Sequence, residues 1–404
     1  MDILELTPRY KERTFEEVNC FDNVSYYNMK YLCGDRTEKF NLFINTKRVR
    51  QSCDKMPESD ILVIDTRPRF FNFRFNELDF NIYRQSKPKQ VIVNLSSEGG
   101  IGGFYQNNLS KSLQTYANYF EAPTKMITQN QLSANTIKGM HYHNICLSKN
   151  YFLNKTYPCS IPTAKKAFIF NYICGTLIGG DGIREDKIKV ANILNEAGFI
   201  NSNLAVSSSL FKKSSLASLP KLKGLQKNIK ELFAEEKLYN YFQFRRPVIN
   251  GKTLDDKLGN NPIRINGSYY YNSYMSIIQE TECTEYTNRF TEKTIKAIAV
   301  KHPFMLIGNK GALKLLRSHG FKTFEGFIDE SYDEQSDLQS KMSIIIKEMN
   351  KFSKFSHDQW VDFYKETEGI REHNFKLFYG RNFQEYLLQN KYKILESKSY
   401  VLPS

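Results

Sequence analysis

Several kinds of protein are excluded by what the sequence lacks. None of its apolar runs approaches the ~20 consecutive residues of a membrane-spanning helix. The opening segment, MDILELTPRYKE, has no basic stretch followed by an apolar core, so no secretory leader is read there. Cysteine is sparse: Cys20, Cys33, Cys53, Cys146, Cys159, Cys174 and Cys283 make an odd count with no C-x-x-C. They read as free thiols in a reducing compartment rather than as a disulfide framework. Together these absences point to the cytoplasm. No internal repeat and no low-complexity tract is visible.

What is present describes a globular chain. Of its 404 residues 41% are hydrophobic and 25% charged, which is not the composition of a disordered segment. The length suits two domains and a large core, and 30 Phe and 25 Tyr supply much of the buried area. The formal charge is +14, a field that attracts polyanions. A lysine-rich solvated surface gives the same number, and no single Lys/Arg block is long enough to decide for nucleic acid.

Strand-like runs bounded by polar turns set the organisation. The runs 61–65 (ILVID) and 91–95 (VIVNL) read as buried strands of the parallel type. The second leads into SSEGGIGG, too glycine-rich for regular structure. A helix is predicted over 110–119 and a third strand over 125–128. The segment 144–162 reads as linker. A fresh unit opens with AFIFNYIC at 167–174, the loop Gly175–Gly182, and a helix from Arg184 with Val190, Ile193, Leu194 and Ala197 at helical spacing, closed by Gly198. A short strand over 204–207 follows. The stretch 274–333 then predicts a strand (274–278), a helix (294–300), a break at His302-Pro303, a strand (304–307) and a helix (312–319) stopped by Gly320. Two helices are predicted beyond Asp333, the second opened by the capping box Ser356-x-x-Gln359. Strand–loop–helix alternation of this kind makes an α/β protein, whose ligands bind at strand carboxyl ends.

Several groups at these turns could carry chemistry. Backbone amides of the Gly175–Gly182 loop, Gly180 among them, could cradle a diphosphate at the start of the next helix, with Arg184 as a charged donor. The spacing is not G-x-G-x-x-G, and an ordinary strand–helix turn explains it about as well. Thr291-Glu292-Lys293 suits a helix cap, an acid in the first turn and a solvated lysine; equally, the acid could accept from sugar hydroxyls and the lysine neutralise phosphate. Glu280-Thr281 follows the strand before it. His141 and His143 alternate as ligands would, but nothing at ligand spacing completes a site. Asp329, Asp333 and Asp337 suit a solvated helix start better than a metal. Ser207-Ser208-Ser209 with Lys212 and Lys213, and Arg67 with Arg69 at a strand end, are candidates for phosphate contact on nucleic acid; each could equally be a polar loop.

Thr291, Glu292 and Lys293, followed by His302-Pro303-Phe304 and Gly308, resemble the carboxyl-terminal half of a glycosyltransferase family of large DNA viruses, phages and marine microbes. The same stretch is more distantly similar to the donor domain of the fucosyltransferases. The resemblance weakens over 165–209 and is poor before Pro162. It implies a GT-B-like α/β fold: two Rossmann-like domains facing a cleft, with a helical carboxyl-terminal tail. The expected division is 1–162 for the acceptor, 163–380 for the donor and 381–404 for the tail. It implies a UDP- or GDP-sugar as co-substrate, with Gly180, Arg184, Glu280, Thr281, Thr291, Glu292 and Lys293 binding the donor. No D-x-D occurs, which fits a mechanism requiring no metal. Fucosyltransferases carry an acid in a loop comparable to that of Glu98, which makes Glu98 the expected base, with Asp65 second. Hydroxymethylated bases of viral or phage DNA are the expected acceptor, in the cytoplasm of a host, with a cell-surface glycan as the alternative. A non-catalytic nucleic-acid-binding protein is the reading from a different class.

Overall fold

A computed structural model of the chain describes residues 89–95, 104–149, 156–179, 182–200, 265–281, 287–397 and 400–404, together with shorter pieces and the strands named below. The chain divides into two compact units, Met1–Tyr151 with Glu385–Ser404, and Phe152–Gln384. The division falls inside the expected linker 144–162.

The first unit is built on five parallel strands in the order β1 (Ile3–Leu6), β2 (Ile61–Asp65), β3 (Gln90–Leu95), β4 (Thr124–Thr128) and β5 (Met140–Tyr142). Val91, Ile92 and Val93 are all buried, as are Met126 and Ile127, so these strands read as continuous apolar runs and not as alternation. Between β3 and β4 runs α1 (Phe104–Phe120), longer than the predicted 110–119, burying Leu113, Tyr116, Ala117 and Phe120 at helical spacing. Asn130 caps the short α2 (Gln131–Thr136), its side chain accepting from the Leu132 amide. A three-stranded antiparallel sheet, Phe15–Asn19 between Tyr27–Met29 and Lys47–Gln51, was not legible in the sequence.

The second unit holds four parallel strands, β6 (Phe168–Thr176), β7 (Leu204–Ser209), β8 (Ser273–Gln279) and β9 (Phe304–Ile307), in the order β7-β6-β8-β9. The chain leaves β6 through α3 (Glu185–Glu196) to β7 on one side, then re-enters on the other side of β6 as β8. The boundary between β6 and β8 is therefore a topological switch point, where connections diverge and leave a crevice at the strand carboxyl ends. Gly198 closes α3 in the left-handed region (φ 78°), with the Phe199 amide donating to the Leu194 carbonyl at 2.9 Å. The aromatic α4 (Gly267–Tyr271) leads into β8, and α5 (Glu292–Ala299) connects onward to β9. Every residue of α5 from Lys293 to Ala299 is buried. His302 lies in the same core, its ring nitrogens paired with the Ser276 hydroxyl at 2.8 Å and the Ser273 carbonyl at 2.9 Å. After β9 comes α6 (Ala312–Ser318).

Four helices follow, where the spacing predicted two: α7 (Leu338–Ser353), α8 (His357–Glu366), α9 (Glu368–Tyr379) and α10 (Arg381–Glu396). The capping box at Ser356 and Gln359 is present, and Trp360 stacks between Tyr274 and Phe352 at 4.9 and 5.5 Å. The aromatic spacing of Trp360, Phe363, Tyr364 and Phe375 predicts one helix, but Phe375 lies outside the helix of the first three. It belongs to the next one because the Thr367 hydroxyl bonds back to the Phe363 carbonyl at 2.7 Å and ends the run. Asp329 and Asp337 are helix caps, and Asp333 accepts from the Leu313 and Lys314 amides at the start of α6. Among the described residues no group of three His, Cys, Asp or Glu side chains is arranged to hold a metal ion.

Residues 385–404, expected within a separate tail, return to the first unit. Lys125 of β4 is fully buried, and its ammonium donates to the Ile394 and Ser397 carbonyls at 2.5 and 2.8 Å, at the carboxyl end of α10. A cation is favoured there by the helix dipole and the unfilled carbonyls. Burial holds its pKa down to about 8. Thr124 and Val401 exchange backbone hydrogen bonds of 2.7 and 2.8 Å beside it. Lys125→Ala removes both donors and leaves a void. We expect it to destabilise the protein by about 2–4 kcal/mol, read as an earlier urea midpoint.

Candidate functional site

The switch point is lined by two strand ends and two helix starts. On one wall β8 runs out through Gln279 into Glu280 and Thr281. Glu280 is 1% exposed, and its carboxylate accepts from the Thr291 amide at 2.9 Å, the Thr291 hydroxyl at 2.5 Å and the Thr294 hydroxyl at 2.6 Å. An acid thus sits against the amino terminus of α5, which the helix dipole favours. Thr291 is the cap residue of that helix. Its hydroxyl, with that of Thr281, accepts from the Lys293 ammonium at 3.0 Å each, and the ammonium lies 3.7 Å from both Glu280 and Glu292. Lys293 is buried. Glu292 is half-buried; burial pushes its carboxyl up, but Lys293, Lys296 and hydrogen bonding at the helix start outweigh that and hold it down at about 2.

On the other wall β6 reaches Gly175, in the left-handed region at φ +73°. A Cβ there would stand 3.4 Å from Cε of Lys293 and 3.6 Å from Nζ of Lys187. The glycine is needed for its backbone, since a Cβ at these distances would make only ordinary contacts. Lys187 lies in the first turn of α3, is 1% exposed, and donates to the Cys174 carbonyl. Burial first, then the charges of Lys293 and Arg184, lower its pKa to about 7. Arg184 is the cap residue of α3, its amide bonded to the Leu177 carbonyl at 2.9 Å. The Tyr172 hydroxyl donates to the Gln279 side chain, which in turn donates to the Asp186 carbonyl at 3.2 Å, so β6, β8 and α3 are tied together just below the crevice. Cys283, beside them, is an inert thiol: burial first, then Asp186, pushes it up to about 12.

Lys187 and Lys293 therefore converge beside Gly175 at the starts of α3 and α5, with Arg184 next to them and with Glu280 and Glu292 beside Lys293. Ammonium groups and helix-start amides at a crevice are the groups that phosphate binding requires. Of the residues singled out in the sequence, Thr281, Thr291, Glu292, Lys293 and Arg184 border this place. Glu280 is there too, with three donors from the helix start ending on its carboxylate, an arrangement that positions its neighbours. Gly180, Glu98, Arg67, Arg69, Lys212 and Lys213 lie outside the described residues. Lys187 was missed. Its signal was a charge on the apolar stripe of α3, four residues before Ala191 and seven before Leu194, where a buried lysine has no packing reason to be.

No family model matches the sequence, and no curated protein matches it. Among solved structures the chain is similar to TarM, with a TM-score of 0.40, 10% identity and 83% of this chain covered. The chain spans about half the length of that protein, 55%. It is also similar to a UDP-forming α,α-trehalose-phosphate synthase from Burkholderia xenovorans (TM-score 0.42, 9% identity, 98% of this chain and 100% of that one). A third likeness is to the spinosyn rhamnosyltransferase SpnG (0.30, 9%, 85% and 70%). At scores and identities this low the likenesses add no argument, and the functional reading rests on the site itself.

Proposed function

We propose that the chain is a GT-B-type glycosyltransferase that takes a UDP- or GDP-sugar and holds its diphosphate at the carboxyl ends of β6 and β8. The observation that carries this reading is the convergence of Lys187 and Lys293 on Gly175 at a switch point flanked by two helix starts. In this reading Lys293, Lys187 and Arg184 neutralise the diphosphate as it departs. Thr281 and Glu292 face hydroxyls of the ribose or the transferred sugar, while Thr291 and Glu280 hold Lys293 in place. A hydroxyl of the acceptor attacks the anomeric carbon. The bond from that carbon to the phosphate oxygen breaks, and its electron pair leaves with the nucleoside diphosphate. The hydroxyl proton passes to a base, for which Glu98 is our candidate. Three protein cations supply the charge, and no metal is required.

For the acceptor, the net charge of +14 supports DNA, with hydroxymethylated bases as the attacking hydroxyls and Arg67, Arg69, Lys212 and Lys213 as phosphate contacts. A target base in a duplex would have to flip out to be reached. The decisive experiment is release of nucleoside diphosphate from a panel of nucleotide sugars, offered hydroxymethylated DNA, unmodified DNA and glycan acceptors. Release with glycan alone removes the DNA reading. Salt-dependent DNA affinity without release from any donor indicates a binding protein instead.

Lys187 gives the proposal a pH signature. In the free protein its ammonium gives up its proton at about 7. A bound diphosphate raises that pKa, so binding above this pH takes up a proton. Affinity for UDP should therefore fall as pH rises above 7, by up to about tenfold per unit, and Lys187→Met should flatten the profile. Calorimetry in buffers of different ionisation heat measures the proton uptake directly. A wild-type profile that is already flat takes Lys187 away from the phosphate.

A further inference from the structure

Beyond the carboxyl end of α5, in the second unit, lies a groove of about 370 Å³ between the segment 158–163 and one face of α9. Glu368, Arg371 and Glu372 line one side at helical spacing; Lys301, Ser160 and Thr163, with the less polar Pro158, Cys159 and Ile161, line the rest. Two features set it apart from an ordinary surface dip. Lys301 ends α5 in the left-handed region, φ 55°, with the His302 amide donating to the Ala297 carbonyl at 2.9 Å. Glycine is the usual residue at that position, so the lysine carries a backbone cost. Its side chain pairs with Glu372. Arg371 is 4% exposed; it donates to the Tyr364 and Lys301 carbonyls at 2.5 and 3.4 Å, and its Nε is buried with no hydrogen-bond partner. A buried donor without a partner is uncommon and calls for one.

The chemistry of the lining narrows the ligand. Two cations and two carboxylates cancel, so an anion meets Glu368 and Glu372 while a cation meets Lys301 and Arg371. A neutral molecule with closely spaced hydroxyls, each both donor and acceptor, satisfies all of them together with Ser160 and Thr163. At the rim Tyr157, next to Pro158 of the lining, is 85% exposed. The Tyr271 hydroxyl holds its backbone carbonyl at 2.8 Å, and Tyr271 is itself 41% exposed. Exposed rings present flat apolar faces of the kind that the C–H face of a sugar ring covers. We infer that the groove is a second carbohydrate site, taking a neutral mono- or disaccharide. Helix α5, about 12 Å long at eight residues, stands between it and the anion site.

Saturation-transfer NMR and calorimetry on the full chain test this with glucose, N-acetylglucosamine, maltose, cellobiose and chitobiose, and with inorganic phosphate as the competing class. We expect one or more saccharides to bind in about the millimolar range, and Tyr157→Ala and Lys301→Gly each to weaken that binding by about tenfold or more. Lys301→Gly relieves the left-handed backbone, so its thermal midpoint should not fall, and loss of binding is then not loss of fold. UDP affinity should be unchanged in both variants, which separates this groove from the donor site whatever that site turns out to bind. The inference is overturned if no saccharide of the panel binds, if binding survives both substitutions, or if phosphate binds more tightly in a Lys301-dependent way.

Discussion

Lys293→Met should weaken UDP binding by about 10–100-fold, the loss of one charge-assisted contact to phosphate in a buried setting. The side chain is the natural one to test, because it is held by hydroxyls of the β8–α5 wall and lies beside Gly175 of the other. Its ammonium is oriented by Thr281 and Thr291 at 3.0 Å each, and its Cε lies 3.4 Å from where a Cβ on Gly175 would stand. The substitution keeps the volume of the stem and removes only the charge. It also leaves Glu280 without its nearest cation, so some loss of stability accompanies the loss of affinity. Calorimetric titration with UDP, alongside thermal unfolding without it, separates the two effects. Lys293→Arg restores the charge but not the shape, and should recover only part of the affinity. Unchanged UDP affinity in Lys293→Met would remove the diphosphate from this site.

Glu280→Ala should cost about 3–5 kcal/mol of stability, more than any other single change considered for this site. Three donors, the Thr291 amide and the Thr291 and Thr294 hydroxyls, end on this one carboxylate, and all are buried. Without it the start of α5 loses its acceptor while its donors stay out of reach of water. Glu280→Gln keeps the shape but turns one acceptor into a donor facing donors, and about 1–3 kcal/mol is expected for it. Urea denaturation of both variants measures this. A residue that met the sugar or ribose directly would give the opposite result, with Glu280→Gln leaving the unfolding midpoint in place and lowering donor affinity alone.

Much of the second unit was legible because its strands are short apolar runs closed by unmistakable punctuation. FMLI between Pro303 and Gly308 could only be a buried strand, and the structure gives Phe304–Ile307. Thr291 was readable as a cap since a hydroxyl precedes an acid and an apolar stripe; the observed helix begins at Glu292, two residues before the predicted start at Thr294. What the sequence hid were relations between distant residues. Glu280 reads as a loop acid until the fold sets it eleven residues away from its first donor, Thr291. Lys187 was hidden by the assumption that a lysine on a helix is solvated, an assumption that fails where a strand end offers a carbonyl. The return of residues 385–404 to the first unit depends on Lys125 filling carbonyls of α10, a pairing across 269 residues with no local signature. The break between α8 and α9 turns on one threonine hydroxyl bonding backwards, and the aromatic spacing runs straight across it.

Helix α5 has only eight residues, too few to persist as a helix in water on its own. Its order comes from the surrounding core, which covers it on all sides, and from Glu280 at its head. The amides and the lysine that would receive a phosphate are therefore held by contacts within the protein itself. A site built in this way spends little conformational entropy at the moment of encounter, so its affinity reflects its contacts almost undiminished. The same dependence makes it brittle. A change anywhere in that core that loosened α5 would be felt as slack in the anion site before the protein as a whole unfolded.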